Sequence, residues 1–123
     1  MMTDVDNFQY VREHVRTVPD FPKKGIMFLD ITTATKDAKS MQYMIDFLYE
    51  TFKNEKIDYV AGIESRGFIF GAPLAYKLNA GFIPIRKPNK LPADTVKETY
   101  SLEYGTDTIE MHADALKSGD KVL

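Results

Sequence analysis

Two short stretches carry residue types suited to gripping a polyanion. The first is Glu64-Ser65-Arg66-Gly67, between an apolar run and a helical one. Backbone N–H groups at a helix start favour anions, a glycine permits close approach, and a guanidinium offers forked donors to phosphate oxygens. The competing reading is a tight turn with a surface arginine. The second stretch, Arg86-Lys87-Pro88-Asn89-Lys90, follows the next apolar run. Alone, such a run reads as a solvated loop. Two successive strands delivering positive charge to one sheet edge point instead to a polyanionic ligand. A third stretch, Leu102-Glu103-Tyr104-Gly105, sets a carboxylate and a phenol beside a glycine. It suits a flap tip that closes over a ligand, or turn chemistry alone. His14 and His112 read as surface residues. No nucleophile–His–Asp set, Walker loop or metal-ligand spacing stands in the sequence.

Those residues need elements to hold them. Val5, Phe8, Val11 and Val15 recur at helical spacing over residues 4–16, with Thr3 or Asp4 as the cap. Pro19 and Pro22 bracket the connection that ends this helix, and residues 25–31 read as extended. Asp37 is placed to cap a second helix, whose stripe of Met41, Met44, Ile45, Leu48, Tyr49 and Phe52 reads as core packing rather than a cofactor groove. Residues 58–63 form a short, nearly continuous apolar run, the pattern of a buried strand. Residues 68–78 have helical character, with Pro73 implying a kink or a late start, and Asn79-Ala80-Gly81 closes the segment. Residues 82–86 give a second strand, in which Pro84 is awkward. Strand, helix and strand in about thirty residues is the signature of a right-handed parallel unit. Over residues 94–112, Val96, Glu98, Tyr100, Leu102 and Tyr104, then Ile109 and Met111, alternate about Gly105-Thr106 as in a β-hairpin. Ser118-Gly119-Asp120 turns the chain into a strand beginning at Lys121-Val122-Leu123.

Composition narrows the classes further. A chain of 123 residues with 44% hydrophobic content reads as one domain, residues 1–123, able to bury a core. Sixteen basic against eighteen acidic residues give a formal charge of −2, which excludes a generally basic nucleic-acid binder. Zero cysteines exclude disulfides, thiolate zinc sites and a cysteine nucleophile, and they suit a reducing compartment. The longest uncharged stretch, residues 67–76, is too short to span a bilayer, and the N-terminus reads without a basic-then-apolar signal-peptide pattern.

Four segments together resemble the adenine phosphoribosyltransferase family of the type I phosphoribosyltransferase fold. They are Pro19-Asp20-Phe21-Pro22 with residues 25–32, residues 62–71, residues 86–92, and residues 100–105. They occur in the family's order across almost the whole chain. The resemblance implies an α/β fold with a parallel Rossmann-like sheet flanked by helices, plus a β-hairpin flap over residues 94–112. Residues 1–35 would supply the N-terminal helix and adenine-pocket segment. The implied reaction is purine salvage: adenine N9 displaces pyrophosphate from C1 of phosphoribosyl pyrophosphate (PRPP), giving AMP.

By resemblance, Met27, Phe28 and Leu29 form the adenine pocket. Ser65 and Arg66 belong to the pyrophosphate loop, with a cis peptide at Glu64–Ser65, and Arg86, Lys87 and Lys90 form the second cationic loop. Glu103 and Arg66 would be catalytic, Glu103 managing the proton at adenine N7, and Tyr104 would close the lid. Magnesium would ride on the substrate's phosphates, and the protein would be a cytoplasmic homodimer that binds neither nucleic acid nor membrane. There are two departures. Leu29 stands where many members carry arginine, and the family's paired acids and Thr/Gly-rich loop for the 5′-phosphate are absent. Their leading strand would begin at Val122-Leu123, so the expectation is a truncated core, short of its C-terminal part and impaired in activity. The alternatives are a non-catalytic remnant or subunit that binds adenine or a partner chain, and a transferase for another purine base.

Overall fold

The computed structural model describes residues 4–123, the Asp4 side chain excepted. The capping role read for Thr3 or Asp4 therefore lies outside the described residues. The chain divides into two compact units, residues 1–51 and 52–123.

In the first unit, α1 (Asp4–His14) is followed by β1 (Arg16–Pro19), β2 (Met27–Asp30), α2 (Thr32–Lys36) and α3 (Ala38–Phe52). Asp37 caps α3 as its sequence position suggests, accepting the Ser40 N–H at 2.9 Å. The same carboxylate accepts the Tyr10 hydroxyl at 2.9 Å, which ties α1 to the start of α3. Phe8 meets Phe47 edge-on at 4.7 Å, and Tyr10 meets Tyr43 at 5.5 Å. Ile45, from the sequence stripe, is buried together with Ala34 and Ser40. His14 is half-buried rather than a surface residue. It stacks on Tyr10 at 4.4 Å and its Nε2 lies 3.7 Å from the Asp37 carboxylate.

The first helix stops at His14 rather than reaching residue 16, and residues 16–19 form a strand where the sequence suggested the helix end and a connection. β1 pairs antiparallel with β2, Arg16 opposite Asp30 and Pro19 opposite Met27. The pairing is fixed by charge at one end, with Arg16 Nε donating to Asp30 Oδ2 at 2.7 Å. Asp30 also accepts the Thr32 N–H and hydroxyl, which anchors the start of α2. These Thr32 bonds, followed by the one from Arg16, lower the Asp30 carboxyl from 3.8 to about 2. The carboxyl is more acidic folded than unfolded. Its stabilisation is therefore complete above pH 3.8 and fades as pH falls through about 2. We expect denaturation midpoints of the native chain and Asp30→Asn to differ near neutral pH and to converge below about pH 2. A gap that stays constant on acidification would contradict this.

The second unit contains β3 (Tyr59–Ile63), α4 (Arg66–Leu78), β4 (Gly81–Ile85), β5 (Thr95–Leu102) and β6 (Gly105–His112). β3 and β4 pair in parallel, from Tyr59 opposite Gly81 to Ile63 opposite Ile85. Val60, Leu74, Ala75 and Ile83 are buried; Val60 shares the face of the ladder from which Phe82 meets Phe68 and Gly71 of α4, and Ile83 lies on the opposite face. Pro73 does not delay the helix, which starts at Arg66 and runs on through the proline. Asn79, at φ 56°, turns the chain out of it, and the Ala80 N–H returns to the Ala75 carbonyl at 2.9 Å. Pro84 is tolerated for a geometric reason. Gly81 donates to Asp58 and Ile85 accepts from Glu64, so odd-numbered residues of β4 face β3. Alternation then points Pro84 away, where its missing N–H costs no bond to β3.

Residues 121–123 pair along the other side of β3. The Ala61 N–H donates to the Leu123 carbonyl at 2.8 Å, and the Leu123 N–H to the Tyr59 carbonyl at 2.9 Å. β5 and β6 form the hairpin, with Leu102 opposite Gly105 and a two-residue tip of Glu103 and Tyr104. Arg86 and Glu110 exchange backbone hydrogen bonds of 2.9 and 2.7 Å, joining the hairpin to the end of β4. His112 is half-buried, its Nε2 accepting the Ala93 N–H at 3.3 Å.

Candidate active site

Parallel pairing of Ile63 with Ile85 makes Glu64 and Arg86 the first residues beyond two adjacent strand ends. The segments read as cationic loops therefore leave the sheet at one edge. The Glu64–Ser65 peptide is cis, as the resemblance implies. The first loop turns tightly because two glycines meet behind it: a Cβ on Gly62 would stand 2.7 Å from the Gly67 carbonyl oxygen. Ser65 flanks the helix, and Arg66, its first residue, is exposed and has no ion-pair partner among the described residues.

The second loop is fastened to the first by Glu64, a residue that sequence reasoning passed over. Glu64 Oε1 accepts the Lys87 N–H at 2.7 Å and Arg86 Nε at 3.3 Å, and Oε2 accepts Lys90 Nζ at 3.4 Å. With only 14% of its side chain exposed, the carboxylate lies within this cationic grip. The Lys87 N–H is the main cause of its lowered pKa; partial burial opposes the shift, and Lys90 and Arg86 reinforce it. Arg86 also lies over the Phe68 ring, 6.0 Å from its centroid, and Phe68 meets Phe82 edge-on at 5.7 Å.

Asp107 is a second carboxylate missed from sequence. It sits on β6 opposite Tyr100 and pairs with Lys87 Nζ. Tyr100 donates to Asp107 at 3.2 Å and the Thr108 N–H donates at 2.8 Å. The pairing raises the Lys87 ammonium above its ordinary range and lowers the Asp107 carboxyl. The signal for Glu64 was available, because aligning the two apolar runs end to end sets it beside Arg86. Asp107 becomes legible only once the hairpin register is known.

Ser65, Arg66, Arg86, Lys87 and Lys90 thus share one rim of the second unit. Glu103 and Tyr104 stand at the hairpin tip, Tyr104 86% exposed, and no hydrogen bond or ion pair joins either to the rim. Met27, Phe28 and Leu29 lie on β2 of the first unit. Met27 and Leu29, each 64% exposed, occupy one face of that strand, while Phe28 turns to pack on Phe21 at 5.1 Å. Among the described residues, no group of three or more His, Asp and Glu is placed to hold a metal ion. No described helix is long and apolar enough to cross a membrane.

A parallel strand–helix–strand unit with cations at the carboxyl ends of its strands defines a class of α/β proteins that hold anionic ligands at that edge. No protein-family model matches the chain. The adenine phosphoribosyltransferase of Geotalea daltonii is 61% identical over 109 residues, 89% of this chain and 64% of that protein. That of Escherichia coli O157:H7 is 49% identical over 123 residues, all of this chain and 67% of that protein. The crystal structure of the Saccharomyces cerevisiae enzyme superposes with a TM-score of 0.88 at 39% identity, over 96% of this chain and 69% of that one. The chain belongs to the adenine phosphoribosyltransferase family and has the type I phosphoribosyltransferase fold. It spans about 64% of the length of the first curated relatives it matches.

Proposed function

We propose that the chain serves phosphoribosyl transfer from PRPP to adenine. The N9–C1 bond forms as the bond between C1 and the pyrophosphate oxygen breaks, yielding AMP and pyrophosphate. The single observation that carries this reading is the shared rim of Ser65, Arg66, Arg86, Lys87 and Lys90 at two adjacent strand ends. A departing pyrophosphate needs clustered positive charge and backbone donors, and this edge concentrates both. Relatives agree in chemistry. The yeast enzyme was crystallised with adenine and an imino-altritol bisphosphate, and the Trypanosoma brucei enzyme with AMP, pyrophosphate and ribose-5-phosphate.

In this reading Arg66 and Ser65 hold the pyrophosphate together with Arg86, Lys87 and Lys90. Met27 and Leu29 pack the adenine ring, and main-chain groups of residues 27–29 read its edge. Glu103 handles the proton at N7 while Tyr104 covers the site. The carboxylates of the rim do not fit a magnesium cage, because Glu64 and Asp107 are engaged by Arg86, Lys90 and Lys87. We therefore place magnesium on the substrate's own phosphates. A homodimer in the cytoplasm completes the proposal.

The exposed Met27 and Leu29 on β2 favour a second reading, a chain that binds adenine without turning it over. Calorimetry with adenine, run beside an assay of AMP from adenine, PRPP and magnesium, separates the two. Adenine heat with AMP formation supports the transferase, and adenine heat without AMP supports the binding chain. No heat and no AMP would overturn both, while preference for another free base would redirect the first.

A further inference from the structure

The two carboxylates at the rim are held differently. Glu64 is largely covered and accepts a main-chain N–H, so moving it would orphan the Lys87 amide. Asp107 and Lys87 are 30% and 39% exposed at their side chains, so water reaches both. If Lys87 leaves, Asp107 keeps the Thr108 N–H and the Tyr100 hydroxyl. Lys87 loses only side-chain partners, Asp107 and the Tyr100 hydroxyl, and its four-carbon stem lets the ammonium swing to another acceptor. The exchange therefore strands no buried group. It also has a defined place in the hairpin. The backbone bridge between Arg86 and Glu110 fixes the base, whereas Asp107 lies nearer the tip on the same strand.

Resting on the anion-binding reading above, we propose that Asp107 is an internal competitor for Lys87. It holds the lysine until a multivalent anion takes it, and anion binding then unlatches the tip half of the hairpin while its base stays bridged to β4. Asp107 is thus a positioning residue that sets both rim affinity and flap freedom. A multivalent anion suits the exchange because it can engage Lys87 and the unpaired Arg66 together, which a single side-chain carboxylate cannot.

Calorimetry with sodium pyrophosphate at low ionic strength tests this on the full chain. Asp107→Asn is expected to bind about fivefold tighter than the native chain, the scale of a part-exposed ion pair. Asp107→Glu, which keeps the charge, should restore near-native affinity. In a Lys87→Ala background the Asp107→Asn gain should vanish, whereas a general field effect of the lost charge would persist. Pyrophosphate should also speed amide exchange at residues 100–107 of the native chain but not at Glu110. Binding by the native chain with no gain in Asp107→Asn, or with the same gain in both backgrounds, would overturn the proposal and leave the anion reading intact. Absence of binding by every variant would overturn the anion reading and the proposal with it.

Discussion

Alanine at Gly62 should destabilise the second unit by about 3 kcal/mol, the upper range for forcing an atom into packed structure. The added Cβ would stand 2.7 Å from the Gly67 carbonyl oxygen, 3.0 Å from its carbon and 3.1 Å from the Phe82 ring. Two of these are main-chain atoms, which no rotamer change can move aside. Relief would require β3 to draw away from the start of α4, and that shift displaces Ser65 and Arg66 directly. Gly67 provides the graded comparison. Its Cβ would meet the Gly62 backbone at 3.2 Å, a tight contact but a smaller violation. Gly67→Ala should therefore cost clearly less, and the two denaturation midpoints should separate in that order. Equal midpoints would remove close approach as the reason for these glycines.

Arg66→Ala should weaken pyrophosphate binding about tenfold to a hundredfold, the worth of hydrogen bonds to a charged group. Among the rim cations, Arg86, Lys87 and Lys90 already face Glu64 or Asp107, whereas Arg66 is unpaired among the described residues. An anion therefore gains the most from Arg66 and only an exchange of partners from the rest. A cation at the first position of a helix also opposes the helix dipole, so Arg66 contributes nothing there to stability. The substitution should leave thermal stability unchanged or slightly raised while affinity falls. Arg66→Lys should recover part of the loss, lacking the fork. Calorimetry against Lys90→Ala decides the point, since a smaller effect for Arg66 than for Lys90 would reverse the assignment.

Much of the second unit was legible in the sequence because its signals are local. Residues 58–63 and 82–86 are compact apolar runs, and residues 94–112 alternate about a glycine turn. β1 was not legible, since residues 16–19 are mostly exposed and their strand character comes from pairing with β2 and from the Arg16–Asp30 bond. In the sequence the rim shows as charge alone. Its cations stand in the sequence, but Glu64 and Asp107 become their partners through strand register, a non-local property. The partial burial of His14 and His112 is hidden from the sequence for the same reason. Polar neighbours along the chain conceal the Asp37 carboxylate and Ala93 amide that fold against them.

The parallel ladder of β3 and β4 also sets where chain length can vary. Successive strand residues face opposite sides, so one residue inserted in β4 would reverse Pro84 and present its missing N–H to β3. The same insertion would carry Arg86 past Glu64 and break the bridge to Glu110. Tolerance for insertions and deletions should therefore concentrate in residues 88–94 and at the hairpin tip, with five-residue β4 held to its count.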